Sequence, residues 1–317
     1  MPPSPPRQTA RISPQAASAP ATPDAPDSLG TPTTPSVGHA DADGPRHEDS
    51  PPDADAAALR ARFPRGLAQP DGGFRFGVDT LLLSAFAAAR LKPSRGGAPV
   101  TGLDMGCGCG AASFGLLLLR PRLPLALRGI DTGPEMVDAA NANAAALGLA
   151  QRFAAQVADA GEFRAAPPLD FALANPPFRA PGTGRACPSA ARDRARFEGP
   201  GGFAAFAHCA GRNLRRGGAL FLVHLAERLP EIITALAQAG VPVREMLPVQ
   251  GRADADPRLA LLAAAKGGGA SLKLLRPLVL YGPGNALTAE ALAFCPHLAA
   301  NTRRTPPLGQ AGENTVP

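Results

Sequence analysis

Asn175-Pro176-Pro177-Phe178 closes the apolar run Asp170-Phe171-Ala172-Leu173-Ala174. The run reads as a buried strand, so Asn175 stands where a strand gives way to a loop. These residue types suit one task, which is holding a flat amine conjugated to a ring. Such an amine is a poor nucleophile because its lone pair is shared with the ring. The Asn175 side-chain oxygen and the Pro176 carbonyl offer two acceptors for its hydrogens, drawing the nitrogen toward sp³ and freeing the lone pair. The prolines, Pro176 and Pro177, fix φ and keep the acceptors converged. Phe178 offers a face on which the ring can stack. A base within a helix must be unstacked, or lie in a loop, to reach such a site. The chemistry would be positioning and electrostatics, without a metal or a covalent intermediate. In isolation the same residues could be a plain Pro-rich turn.

Upstream lies a second strand-to-loop junction, Leu103-Asp104-Met105-Gly106-Cys107-Gly108-Cys109-Gly110. Gly106, Gly108 and Gly110 let backbone pass close to a ligand. Their spacing is G-x-G-x-G and not the dinucleotide pattern G-x-G-x-x-G. A dinucleotide also needs a free helix N-terminus for its pyrophosphate. NAD therefore fits less well than a ligand without phosphate, and the downstream motif has no role in hydride transfer.

The elements that must position these residues alternate from about residue 98. Strands are expected at Val100 to Met105, Leu125 to Asp131, Phe153 to Asp159, Leu169 to Asn175 and Ala219 to His224. Helices are expected at Ala111 to Arg120, Pro134 to Leu147, Phe203 to Leu214 and Pro230 to Ala239. Pro134 suits a first helical turn, and Gly148 and Gly240 suit helix ends. Val243 to Tyr281 reads as further strands with a Gly-rich link at 267–269. This alternation predicts an α/β, doubly wound, mostly parallel sheet with helices on both faces. Ligands of such sheets bind beyond the carboxyl ends of the strands. Asp104, Asp131, Asp159 and Asn175 all fall at such ends. Singly, each is an ordinary strand terminator or helix N-cap; together with a glycine loop they define one crevice.

The chain has 317 residues, 45% of them hydrophobic, enough for a sizeable core. Residues 1–58 differ: they hold 13 of the 37 prolines and neither Phe nor Tyr. They read as a disordered leader, with a folded domain over 59–295 and a flexible tail over 296–317. No apolar segment follows the start as in a signal peptide, and Leu116 to Leu119 is too short to cross a bilayer. Five cysteines without a C-x-x-C, and scattered histidines, suggest neither disulfides nor a metal site. Reduced thiols fit a cytoplasmic protein. The net charge of +6 suits an anionic partner such as RNA, although it equally fits Arg replacing Lys throughout.

The glycine loop followed by Asn-Pro-Pro-Phe resembles the class I, Rossmann-like methyltransferases that use S-adenosylmethionine. The segment Gly73 to Leu83, the Arg- and Pro-rich stretch 179–198, Val223 to Leu229, Pro277 to Tyr281 and Thr288 to Glu290 are similar to the bacterial tRNA(Val) adenine-N6 methyltransferases. The resemblance covers about residues 60–295. It implies transfer of a methyl group to an adenine exocyclic amine in RNA, near a tRNA anticodon, by a monomer. It further implies that Asp104, Gly106, Gly108, Gly110, Asp131 and Asp159 bind the cofactor. Asp104 would orient the loop or meet the cofactor's ammonium group, Asp131 would take the ribose hydroxyls, and Asp159 the adenine amine. Arg75, Arg179, Arg185, Arg192 and Arg196 are candidate phosphate contacts. The family usually has Tyr where this chain has Phe178. Asn-Pro-Pro-Phe also occurs in ribosomal-RNA guanine-N2 methyltransferases, and the Tyr form in release-factor glutamine N5-methyltransferases. Both usually carry a folded N-terminal domain that residues 1–58 cannot supply. A catalytically silent, cofactor-binding RNA-binding protein is the remaining alternative.

Overall fold

A computed structural model describes residues 52–70, 75–94, 96–178, 202–269 and 271–301. Most of the expected leader, and Arg179, Arg185, Arg192 and Arg196, lie outside them. Nine strands form one sheet: β1 Val100–Met105, β2 Leu125–Asp131, β3 Phe153–Val157, β4 Leu169–Ala174, β5 Leu214–Leu225, β6 Val243–Gln250, β7 Leu259–Ala265, β8 Lys273–Leu274 and β9 Leu278–Val279. The described helices are α1 Pro52–Ala61, α2 Val78–Ala88, α3 Ala111–Leu119, α4 Pro134–Ala146, α5 Gly202–Asn213, α6 Leu229–Gln238, α7 Ala289–Phe294 and α8 Leu298–Asn301.

The sheet order is β3-β2-β1-β4-β5-β7-β6-β8, with β9 also on β6. Strands β1 to β5 pair in parallel, while β7 runs antiparallel between β5 and β6. The chain winds outward from β1 to β3, then returns to place β4 on the other side of β1. That reversal opens a crevice at the carboxyl ends of β1 and β4. Register brings Met105 beside both Ala174 and Ile130 there.

Alternation along the strands sends side chains to two cores. Phe171 and Leu173 join a cluster with α2, α3 and α4, whereas Ala172 and Ala174 join one with α5 and α6. Helix α2 is apolar almost all round and buried along nearly its whole length, because it is packed between α3 and the sheet.

Three features differ from the sequence reading. Strand β5 begins at Leu214 and takes in Gly217-Gly218, well ahead of the start expected at Ala219. Its pairing with β4 jumps from Leu169↔Leu214 to Phe171↔Ala219, a bulge that accommodates the extra residues. Helix α1 starts at Pro52, within the stretch assigned to the leader, and buries Ala56 and Leu59. Its Arg60 Nε donates to the Leu147 carbonyl at 2.6 Å, tying it to the end of α4. At the other terminus α8 falls in the stretch assigned to the tail, yet Leu298 is buried and His297 meets the Phe63 ring edge-on at 4.7 Å.

The crevice depends on how closely β1 and β4 approach. Gly102 lies opposite Phe171, and a Cβ at 102 would fall 2.3 Å from that ring. Gly102→Ala therefore forces strand or ring to move, and should lower stability by about 1–3 kcal/mol. Adding Phe171→Leu should return part of that loss. Urea unfolding of both variants checks this, and an unchanged midpoint in Gly102→Ala would contradict the packing described.

Candidate active site

The loop between β1 and α3 is built from backbone. Gly106, Gly108 and Gly110 have φ of 68°, 53° and 87°, the left-handed region that side chains disfavour. Gly110 is the N-cap of α3, where a Cβ would also lie 2.4 Å from the Phe114 ring. The Gly106 and Cys107 N–H groups both donate to the Ile130 carbonyl at 2.9 Å, which seats the loop on the end of β2.

Two carboxylates brace the loop from below. Asp104 is buried, and Ser113 Oγ donates to its Oδ2 at 2.7 Å, locking β1 to the first turn of α3. Burial pushes the Asp104 carboxyl up to about 6, and the Ser113 bonds offset only part of that. Asp131 accepts from the Gly108 N–H at Oδ2 and from the Gly133 N–H at Oδ1, both at 2.9 Å. Burial raises its pKa while those two bonds act against the rise. Asp131 thus clamps the loop to β2, and each oxygen keeps a lone pair for a ligand.

From the side, Asn143 of α4 holds the loop. Its Nδ2 donates to the Cys109 carbonyl at 3.0 Å and to the Ala68 carbonyl at 2.9 Å, while its Oδ1 accepts from the Ala68 N–H at 2.8 Å. One buried amide therefore joins the loop, α4 and the segment after α1.

Asn175 follows β4 and is half-buried beside the loop. Its Nδ2 donates to Thr80 Oγ1 at 2.8 Å, with Asp79 Oδ2 at 3.4 Å. Its Oδ1 has no partner among the described residues. Gly106, Gly108, Asp104, Thr80, Phe76 and Asn175 line a single cleft. Pro176 is buried; Pro177 and Phe178 are half-buried. The Phe178 ring lies 5.2 Å from that of His224 at the end of β5, and its carbonyl accepts from Arg228 Nη1 at 3.2 Å.

His224 is fully buried. Its Nδ1 accepts from the Leu225 N–H at 2.9 Å, so Nε2 carries the ring proton, and Nε2 has no partner among the described residues. Burial, with the Arg228 charge second, brings its pKa down to about 4 and keeps the ring neutral.

The structure thus joins Asp104, Gly106, Gly108 and Asn175 at one cleft, with Asp131 braced directly behind the loop. Asp159 stands apart and exposed, accepting from the Gly161 N–H at 2.6 Å. Arg75 is exposed just before α2. The sequence reading missed Asp79, Thr80, Ser113 and Asn143. For the first two a signal existed: a polar pair heading an otherwise apolar leucine helix needs a polar partner.

Among the described residues the lining carries a buried carboxylate, open backbone and the amides at the start of α3, but no Lys or Arg. That chemistry fits a cationic, phosphate-free amino-acid ligand such as S-adenosylmethionine: carboxylates suit its cationic centres and the helix N-terminus suits its carboxylate. Among the described residues no group of His, Cys, Asp and Glu could hold a metal, and no helix is long and apolar enough to cross a membrane.

The raised Asp104 pKa has a thermodynamic consequence. The folded chain binds that proton more tightly than the unfolded chain, whose carboxyl titrates near 3.8. As pH rises from about 4 to about 6 the unfolded state loses the proton first, so stability falls across that window. Asp104→Asn is neutral throughout and removes this slope, while Asp79 and Asp131 act alike in both proteins. Urea unfolding at about pH 4 and pH 7 should show the variant gaining on wild type at the higher pH. A constant difference would place Asp104 in its ordinary range.

Residues 79–194 match the family model described as the methyltransferase small domain. No curated protein matches the chain. Among solved structures, a predicted O-methyltransferase from Agrobacterium tumefaciens is 21% identical, with a TM-score of 0.52 over 69% of this chain and 96% of its own. A ribosomal protein L11 methylase from Lactobacillus delbrueckii subsp. bulgaricus is 18% identical, with a TM-score of 0.44 over 64% of this chain and 86% of its own. The first shares the fold. Residues 79–194 therefore carry a methyltransferase domain of the small-domain type, a family that takes its methyl group from S-adenosylmethionine.

Proposed function

We propose that this enzyme methylates the exocyclic N6 amine of an adenine in RNA, in a tRNA near its anticodon, acting as a cytoplasmic monomer. The observation that carries the reading is the shared cleft: Asn175, whose Oδ1 has no partner among the described residues, lines the same space as Gly106 and Gly108. An acceptor beside a cofactor loop suits a substrate that offers N–H hydrogens. The likeness of residues 60–295 to the tRNA(Val) enzymes favours adenine over guanine N2 and over a glutamine amide.

In this reading Asn175 Oδ1 and the Pro176 carbonyl accept the two amine hydrogens. Phe178, braced on His224, stacks on the base with its free face. Asp131 uses its remaining lone pairs for the cofactor's ribose, Asp159 meets its adenine amine, and Arg75 with Arg179, Arg185, Arg192 and Arg196 contacts phosphates. S-adenosylmethionine, when bound, supplies a methyl group on a positively charged sulfur. With the amine held by Asn175 and Pro176, its lone pair would be aimed at that methyl carbon, and the carbon–sulfur bonding electrons would stay on sulfur. One N–H proton then leaves to water, since neither acceptor is a base.

Asn175→Ala should lower single-turnover methylation by about 10²–10³-fold, the loss typical of one preorganised polar group. Cofactor affinity by calorimetry should be unchanged, because the loop and its carboxylates are intact. Phe178→Ala should instead weaken RNA capture by about 1–3 kcal/mol. Normal methylation by Asn175→Ala would remove the motif from the chemistry. Mass spectrometry of tRNA nucleosides from cells lacking the chain tests the substrate: loss of N6-methyladenosine is expected, and loss of N2-methylguanosine would overturn the choice of base.

A further inference from the structure

The first turn of α2 and the end of β4 belong to segments 95 residues apart, yet they meet at one amide. Among the described residues Asn175 spends Nδ2 on Thr80 Oγ1 and Asp79 Oδ2 and leaves Oδ1 without a partner. An Asn amide can present either end to a ligand, and only the oxygen end can accept an amine hydrogen. Asp79 and Thr80 are nearly buried, at 9% and 5% exposure, so water cannot stand in for them readily. An inverted amide would set its oxygen against an Asp79 oxygen at the same separation, two acceptors facing each other.

We infer that Thr80 and Asp79 are positioning residues that fix the Asn175 amide with its oxygen toward the substrate. Thr80 Oγ1 supplies the short bond at 2.8 Å, and Asp79, when ionised, supplies the sign, because a carboxylate only accepts. Asp79 sits in the first turn of α2, where the nearby Gly77, Asp79 and Thr80 backbone N–H groups act against the rise in its pKa that burial causes. The helix is packed against α3 and the sheet, so the reference point is rigid. The inference rests on the reading of Asn175 as the acceptor of the amine hydrogen. It adds that the acceptor is pre-oriented from outside its own loop, which lowers the reorganisation needed when substrate arrives.

The test is a double-mutant cycle read by single-turnover transfer of labelled methyl from S-adenosylmethionine to tRNA from cells lacking the chain. Thr80→Val keeps shape and removes the oxygen. It should slow transfer by about tenfold, the worth of one net hydrogen bond, with cofactor affinity unchanged. Thr80→Ser restores the oxygen and should recover the rate. In an Asn175→Ala background Thr80→Val should cost nothing more, because Thr80 then has no amide to orient. An equal loss in both backgrounds, or no loss in either, overturns the inference while Asn175→Ala alone still upholds the methylation reading. A fully active Asn175→Ala overturns both. Asp79→Asn keeps this decidable if Thr80→Val misfolds: an amide at 79 accepts or donates, so an intermediate loss is expected, and an unchanged rate counts against the role.

Discussion

Three carboxylates withdrawn from water hold the working end of this molecule together. Asp79, Asp104 and Asp131 each sit where a helix or loop begins, and each has its pKa raised by burial. Burying a charge is costly unless donors replace the lost water. Here the donors are the Gly108 and Gly133 N–H groups, the Ser113 hydroxyl and the Asn175 amide, drawn from the glycine loop, the end of β2, the start of α3 and the end of β4. The need to satisfy those carboxylates therefore fixes the relative placement of these elements. The cleft lies at the point where they meet.

That arrangement explains why the loop can be both glycine-rich and rigid. Three residues with left-handed φ would be mobile on their own. Hydrogen bonds from the loop N–H groups to Asp131 and the Ile130 carbonyl, and from Asn143 to the loop, leave them little freedom. The sheet contributes through the close contact of Gly102 with Phe171, which keeps β1 and β4 near enough for the loop and Asn175 to share a cleft.

Much of this was legible in the sequence. Strands β1 to β4 and helices α3 and α4 appear close to where alternation and the Gly and Pro signals put them, because long buried segments leave strong periodic patterns. Asp104 and Asn175 were legible as strand-end polar residues. What escaped was set by contacts far apart in the chain. Nothing local at Asn175 reveals that Thr80 receives its amide, nor at Asn143 that Ala68 does. Helix α1 was hidden because an Ala- and Pro-rich average masks two buried residues three apart, Ala56 and Leu59. The β5 bulge was missed because Gly217-Gly218 has the composition of a turn, and only pairing with β4 and β7 turns it into strand.

The Asn143 amide carries one more implication. By joining Ala68 to Cys109 it makes the ligand loop and the N-terminal segment parts of one linked equilibrium. Coupling of this kind is reciprocal. Whatever free energy the cofactor gains from a loop already tied down, the segment of residues 52–70 gains back as resistance to peeling away. The N-terminal helix then acts as a built-in gauge of occupancy, and a label placed there would register the cofactor without touching the cleft.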